Sequence, residues 1–270
     1  MADNDALFAG SIPEIYDTYL VPLIFETFAV DLAQRTIALD PRAILETAAG
    51  SGVVTRTLVS RMAAETDYTV TDLNQPMLDH ARYKQGADGR LSWRHADALD
   101  LPFADAAFDA IVCQFAVMFF PDRVAGYAEA RRVLKPGGSF LFNVWDRIEA
   151  NEIAEAVTDA AAAVFPDDPP RFLPRTPNGY YDLDVIREEL AEAGFTSVAT
   201  ATIDDINAAP SARHAAIAYC QGTPLRAEIE ARDPDALAIV TERTTDVIAE
   251  RFGAGPIGAK IRAHVITATD

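Results

Sequence analysis

A glutamate, two glycines and two aspartates stand where apolar runs of this 270-residue chain stop, and their types suit the holding of a ligand. In "ILETAAGSGVVTRTL", residues 44–58, Glu46 closes a strand-like run, Gly50 and Gly52 stand two apart, and helical sequence starts near Val53. Glycines at a strand-to-helix junction allow a tight turn and leave no Cβ in the way of a ligand lying on the backbone. The helix that follows points free N–H groups and a partial positive charge into that space. Ser51 and Thr55 would add hydroxyl donors or cap the helix; a purely structural turn fits the same spacing. Asp72 ends the next strand, where a carboxylate can accept from both hydroxyls of an adenosine ribose or cap the helix that begins at Asn74 or Gln75. In "HADALDLPF", Asp97 and Ala98 follow the third strand; Asp97 would accept from an adenine amine, or the loop is a polar turn.

Other chemistries find less support. A nicotinamide fingerprint asks for a third glycine or alanine where Thr55 stands. The chain has no G-x-x-x-x-G-K-[ST] loop, and "AGSGV" is not the G-x-S-x-G of a nucleophile-elbow hydrolase. The four histidines, His80, His95, His214 and His264, have no paired ligand spacing, so no metal is expected. His214, in "SARHAAIAYCQGTPL", reads as a solvated or hydrogen-bonded helix histidine or, alternatively, as a general base; Tyr219 is the second catalytic candidate of that stretch, and Tyr219 and Cys220 otherwise line a pocket or pack. Phe115, Met118 and Phe119 read as apolar wall or core.

The elements that must position these residues alternate. Strands are expected at "AILETA", "DYTVTD", "RLSWRHA", "FDAIVCQF" and "SFLFNVWD", and helices at "VVTRTLVSRMAAE", "QPMLDHARYKQ" and "DRVAGYAEARRVL", the last stopped by "KPGG". Alternating β and α elements argue for a parallel sheet with helices on both faces. Beyond residue 150 the rhythm breaks: an Ala-rich helix, a proline-rich segment, a helix, the strand "TSVATATID", a helical stretch over about 208–253, and the alternating "KIRAHVITATD", suited to a strand near a sheet edge.

Half of the residues are hydrophobic, and 41 Asp and Glu against 23 Lys and Arg give a net charge of −18. That balance disfavours nucleic acid and anionic membrane as partners. Two distant cysteines, Cys113 and Cys220, suit a reducing compartment. "MADNDALFAG" has neither the basic nor the apolar region of a signal peptide, and "FDAIVCQFAVMFF" is too short to span a membrane. The expectation is a cytoplasmic protein, monomeric or homodimeric.

In order along the chain these motifs resemble those of class I S-adenosylmethionine-dependent methyltransferases, nearest the type 11 small-molecule group of ubiquinone/menaquinone-biosynthesis enzymes. Glu46, Ala48, Gly50 and Gly52 match E/D-x-A/G-x-G-x-G; Asp72, with Leu73 and the rest of "LNQPML" behind it, matches the ribose-binding acid; "ADALDLPFADAAFD" matches the adenine loop and "RVLKPGGSFLF" the entry to the fifth strand. The resemblance covers about residues 40–146. It implies a Rossmann-like α/β fold of seven mostly parallel strands, the last antiparallel and inserted beside the fifth. It implies S-adenosyl-L-methionine as cofactor, with Met77 packing on adenine, Glu46 orienting the glycine loop or accepting from the methionine ammonium, and the backbone around Ala48 and Gln114 near the amino-acid portion. Tyr16 or Tyr19, in a helix at "SIPEIYDTYL", would reach the cofactor or pack in the core. One domain over 1–270 is expected: a helical cover at 1–40, a cofactor core at 41–146, helical insertions at 147–180 and 206–256 forming a substrate lid, and a last strand at 257–270. The reaction expected is methyl transfer to a small, largely apolar or aromatic metabolite. A non-catalytic cofactor-binding module and, behind it, a nicotinamide oxidoreductase are the alternatives.

Overall fold

The structure, a computed structural model, describes residues 12–270. The segment "MADNDALFAG", read for the lack of a leader, lies outside the described residues. Seven strands form one sheet: β1 (Ala43–Glu46), β2 (Asp67–Asp72), β3 (Leu91–His95), β4 (Phe108–Gln114), β5 (Leu134–Trp145), β6 (Ser197–Ala209) and β7 (Ile257–Thr269). Their order is β3-β2-β1-β4-β5-β7-β6, with the last strand antiparallel, as expected. Helices α1 (Ile12–Ile15), α2 (Glu26–Ile37), α3 (Val53–Val59), α4 (Gln75–Gln85), α5 (Arg123–Val133), α6 (Glu152–Val164), α7 (Phe172–Arg175), α8 (Leu183–Glu192), α9 (Ala212–Gln221), α10 (Leu225–Arg232) and α11 (Ala236–Phe252) complete it. None of the described helices is long and apolar enough to cross a membrane.

The chain divides into two compact units. One, made of Thr27–Val144, Tyr181–Thr202 and His264–Asp270, carries the parallel strands. β1 pairs with β2 and β4, and β4 with β5, all parallel, bringing Glu46 level with Val70 and Val112 and Gln114 level with Asn143. Strands covered on both faces read as continuous apolar runs, and Ala110, Ile111, Val112 and Cys113 of β4 are all fully buried. Tyr127 of α5 stacks on Phe142 of β5 at 5.4 Å, and Phe140 lies 4.9 Å from Phe142.

The other unit is made of residues 12–26, Trp145–Tyr180 and Ile203–Ala263. Its core is a helix cluster in which α11 packs on α9 and α6. Buried Ala154, Ala156, Ala160 and Ala161 of α6 and Ala212, Ala215, Ala216 and Ala218 of α9 let the helix axes approach closely. Cys220 is buried there, 3.5 Å from the Thr244 hydroxyl.

Three elements differ from their sequence reading. The helix expected to run to about residue 65 stops at Val59, because Arg90, held by Asp88, gathers the Val59, Met62 and Ala63 carbonyls at 3.0, 3.2 and 3.3 Å and closes the chain into a turn. β5 begins at Leu134, so "KPGG" is a bulge inside the strand, with the pairing shifting between Phe108 and Ala110 and Gly137 left-handed at φ 81°. β6 continues past residue 206 to Ala209, and Asp204 on it pairs with Arg262 of β7 at 2.6 Å. The N-terminal helix is α1 continued by a π-helical segment, Tyr16–Phe25, in which Glu26 N–H reaches back five residues to Val21 O around Pro22. Proline has no N–H to give to a regular α-helical ladder.

Candidate functional site

The strand order reverses between β1 and β4: from β1 the chain builds outward to β2 and β3, and from β4 outward to β5. Ligands of open α/β sheets bind beyond the carboxyl ends of the strands at such a point. The polar residues singled out in the sequence gather there. Glu46 ends β1, Asp72 ends β2, His95 ends β3 and Gln114 ends β4.

After Glu46 the backbone turns through three left-handed residues, Ala48 (φ 52°), Gly50 (φ 57°) and Gly52 (φ 82°), before α3 begins. Ala49 N–H bonds to Thr71 O at 2.9 Å and Gly50 N–H to Asp72 Oδ2 at 2.7 Å, so the loop is tied to the end of β2. The two glycines serve different ends. A Cβ on Gly50 would meet only the Met77 methyl, at 3.8 Å, leaving the loop open on that side. A Cβ on Gly52 would fall 2.9 Å from Ala81 Cβ, so Gly52 is required for packing α4 against the loop. The space beside the loop therefore lies on the Gly50 side, and the space at Gly52 is taken by α4.

Asp72 also accepts from Asn74 N–H at 2.6 Å through Oδ1, while Asn74 itself caps α4 by accepting from Met77 N–H. Each Asp72 oxygen holds one backbone donor, and a carboxylate can accept further bonds. Burial raises its pKa against the lowering effect of those two N–H bonds.

Glu46 is almost wholly buried. Its Oε2 accepts from the Thr55 hydroxyl at 2.5 Å and from the Tyr68 hydroxyl. Burial pushes its pKa up to about 7, opposed by those two hydroxyl bonds and reinforced by the nearby Asp72 charge. Thr55, which stands where a nicotinamide fingerprint wants glycine, is thus the partner of Glu46. Tyr68 was missed in the sequence; its place two and four residues before Val70 and Asp72, on one face of β2, was the signal.

Around this loop, Leu73 is 59% exposed, Met77 is buried against Gly50, and Asp97 folds its own turn by accepting from Leu99 N–H at 2.9 Å. Ala98 sits in that turn, half-buried. His95 Nε2 lies 2.8 Å from Leu73 O. After Gln114, Phe115 is left-handed at φ 49°, a conformation that costs a bulky residue strain and gathers at functional sites. Asn143 of β5, also missed, bonds the Phe115 N–H through Oδ1 at 2.9 Å. Cys113, one residue before Gln114, is buried, with its thiol pushed up to about 12 by burial.

His214 and Tyr219 lie in α9, in the helical unit. His214 N–H bonds to the Ser211 hydroxyl that caps the helix, and its ring lies 4.7 Å from that of Tyr19. Tyr219 is buried, which drives its phenol pKa upward and keeps it neutral. Tyr16 stacks on Phe25 at 5.2 Å within the same unit.

The loop fits an adenosyl cofactor with an amino-acid tail. The Ser51 hydroxyl, between the two glycines, is buried without a hydrogen-bond partner, and a buried polar atom of that kind calls for an acceptor or donor from elsewhere.

Residues 45–142 match the family model described as a methyltransferase domain. A demethylmenaquinone methyltransferase of Deinococcus radiodurans is 40% identical over 105 residues, 38% of this chain and 43% of that protein. The alignment thus spans less than half of that relative's length. A second, from Clavibacter sepedonicus, is 29% identical over 194 residues, 64% of this chain and 76% of that protein. Among solved structures, a SAM-dependent methyltransferase from Aquifex aeolicus superposes with a TM-score of 0.50 at 16% identity, over 70% of this chain and 88% of that one. The [4+2]-cyclase SpnF does so with 0.55 at 19%, over 90% and 81%. These structures share the fold.

Proposed function

We propose, from residues 45–142 being a methyltransferase domain on the S-adenosylmethionine-dependent fold, that this protein transfers a methyl group from that cofactor to a small, largely apolar or aromatic metabolite. The observation that carries the reading is the glycine loop itself. Asp72 fixes its Gly50 N–H, Gly50 leaves one side open, and the next residue, Ser51, has a buried hydroxyl without a partner.

In this reading Asp72 takes the ribose hydroxyls with the acceptor capacity its two backbone bonds leave, and the exposed Leu73 side chain gives the adenine an apolar face. Asp97 and Ala98 border the adenine, and Ala48 and Gln114 the amino-acid portion. Glu46 keeps the loop in shape through Thr55 and Tyr68. S-adenosylmethionine supplies a methyl already activated by its sulfonium, so the residues around it act chiefly by alignment, which is worth up to ~7–11 kcal/mol in favourable cases. Transfer to a ring carbon of a reduced quinone forms a C–C bond, frees S-adenosylhomocysteine and releases the ring proton; that proton can pass to water, so a strong base is required only where the acceptor must be deprotonated before attack.

The acceptor belongs with quinone-like rings: the Deinococcus and Clavibacter relatives are named for demethylmenaquinone. The apolar helical insertions are the part read as taking it. Calorimetric titration with S-adenosylmethionine and S-adenosylhomocysteine, followed by transfer assays on a metabolite panel that includes reduced naphthoquinones, tests the reading. Micromolar or tighter binding with transfer to a small molecule is expected. Binding of NAD in its place would overturn it.

A further inference from the structure

Asn143 is fully buried in β5, level with Gln114 of β4 and beside the strained turn at Phe115. Its carboxamide does only half of what it can. Oδ1 accepts from Phe115 N–H at 2.9 Å, and the Asn143 carbonyl takes the same N–H at 3.2 Å. Nδ2, with two hydrogens to give, is buried and has no partner. Buried donors are nearly always satisfied, and one left over in a native structure needs a reason. An apolar residue would have fitted the run "FLFNVW" without that cost. The oxygen alone does not explain the amide either, because an aspartate or serine could hold the Phe115 N–H.

The neighbouring strand ends narrow down what the missing acceptor is. The ends of β1 and β2 carry carboxylates, Glu46 and Asp72, which suit hydroxyls and an ammonium group and repel an anion. Three strands along the sheet from Asp72, past the glycine loop, β5 offers instead an uncharged N–H donor, that of Asn143. A ligand with an adenosyl group at one end and a zwitterionic amino acid at the other needs that polarity. We propose that Asn143 is a cofactor-binding residue, its Nδ2–H donating to the α-carboxylate of the methionine portion while its Oδ1 holds the Gln114–Phe115 turn in place. This rests on the cofactor reading above and adds the residue that selects for the carboxylate.

The test compares S-adenosylhomocysteine with its decarboxylated analogue, which differs only in the group concerned. Calorimetry on the wild-type protein should show a preference of about 10- to 100-fold for the intact ligand, the range of a hydrogen bond to a charged group. In Asn143→Ser and Asn143→Asp, each of which keeps an oxygen for Phe115 N–H, the preference should fall below about threefold. Affinity for the decarboxylated analogue should stay within about threefold of wild type. Equal weakening of both ligands, with the preference kept, would assign Asn143 a structural role and overturn the proposal; so would a wild-type protein with no preference. Should neither variant fold, the side-chain amide resonance of Asn143 in the wild-type protein decides, since it must shift with S-adenosylhomocysteine and not with the analogue. A wild-type protein that binds neither ligand would instead sink the cofactor reading itself.

Discussion

Asp72 and Gly50, 22 residues apart in the chain, are joined by a 2.7 Å hydrogen bond from the glycine N–H to the carboxylate. The residue expected to hold a ribose is therefore also the clamp that shapes the loop beside it. Its removal should be felt twice. Asp72→Ala is expected to lower unfolding free energy by roughly 1–3 kcal/mol, since it strands the Gly50 and Asn74 donors, and to weaken S-adenosylhomocysteine binding at least about tenfold. Denaturant unfolding and calorimetry on the folded fraction check the two effects separately. A stability loss with unchanged affinity would restrict Asp72 to the clamp.

Gly50 and Gly52 should separate under substitution. Gly52→Ala brings its new methyl to 2.9 Å from Ala81 Cβ and should destabilise the protein by about 1–3 kcal/mol. Adding Ala81→Gly should recover part of that. Gly50→Ala meets no such contact, so it should cost about 1–2 kcal/mol of left-handed strain and reduce cofactor affinity by a larger factor than Gly52→Ala does. Thermal unfolding and titration of all three variants show whether the order holds.

Glu46 makes the stability of the ligand-free protein depend on pH. Its folded pKa of about 7 lies above the usual 4.5. Between those values the folded state binds the proton more tightly than the unfolded state does. The contribution of Glu46 to stability is therefore full below about pH 4.5, declines as pH rises toward 7, and is gone above it. The whole effect is on the order of 3 kcal/mol at most. Glu46→Gln should flatten this part of the profile, and urea unfolding at pH 5 and pH 8 measures it. A wild-type slope that survives the substitution would assign it to other groups.

Neither α9 candidate is expected to act as a strong base. Tyr219 is neutral and buried, and His214 stands in the first turn of its helix, packed on Tyr19. In a working transfer assay His214→Ala and Tyr219→Phe should each cost less than about tenfold, whereas removal of a general base costs ~10²–10⁴-fold. A loss in the larger range would make that residue a proton carrier for the acceptor.

The sheet and its order were legible because β1 and β4 are short, mostly apolar runs and β2 is rich in β-branched and aromatic residues, each bounded by turn residues, and because α4 announces itself with Asn74 as cap and Pro76 in its first turn. The end of α3 was not legible. It depends on Arg90, which comes from about thirty residues further on and competes for carbonyls that the local sequence would have kept in a helix. The bulge at "KPGG" was read as a stop, since proline and glycine signal a break without saying whether the chain turns or merely shifts register. At the site, Glu46, Gly50, Gly52 and Asp72 could be found from their places at strand ends. Tyr68 could have been placed on the face of β2 that carries Asp72, but its bond to Glu46 shows only once the strands are paired; Asn143, a lone polar group inside an apolar strand, gives no hint of its partner before then.

The two buried thiols have a practical consequence. Cys113 lies in β4 of the sheet unit and Cys220 in α9 of the helical unit, and the chain has no other cysteine. Both are fully enclosed, and burial raises their pKa values to about 12 and about 11, so neither reacts while its surroundings are intact. The native sequence therefore contains one intrinsic probe of transient opening for each half of the molecule. Pulsed alkylation read by peptide mass spectrometry would give two opening free energies from a single unlabelled sample. If the halves open independently, adding cofactor should slow the Cys113 clock while leaving the Cys220 clock unchanged; equal slowing of both would reveal that they come apart as one cooperative body.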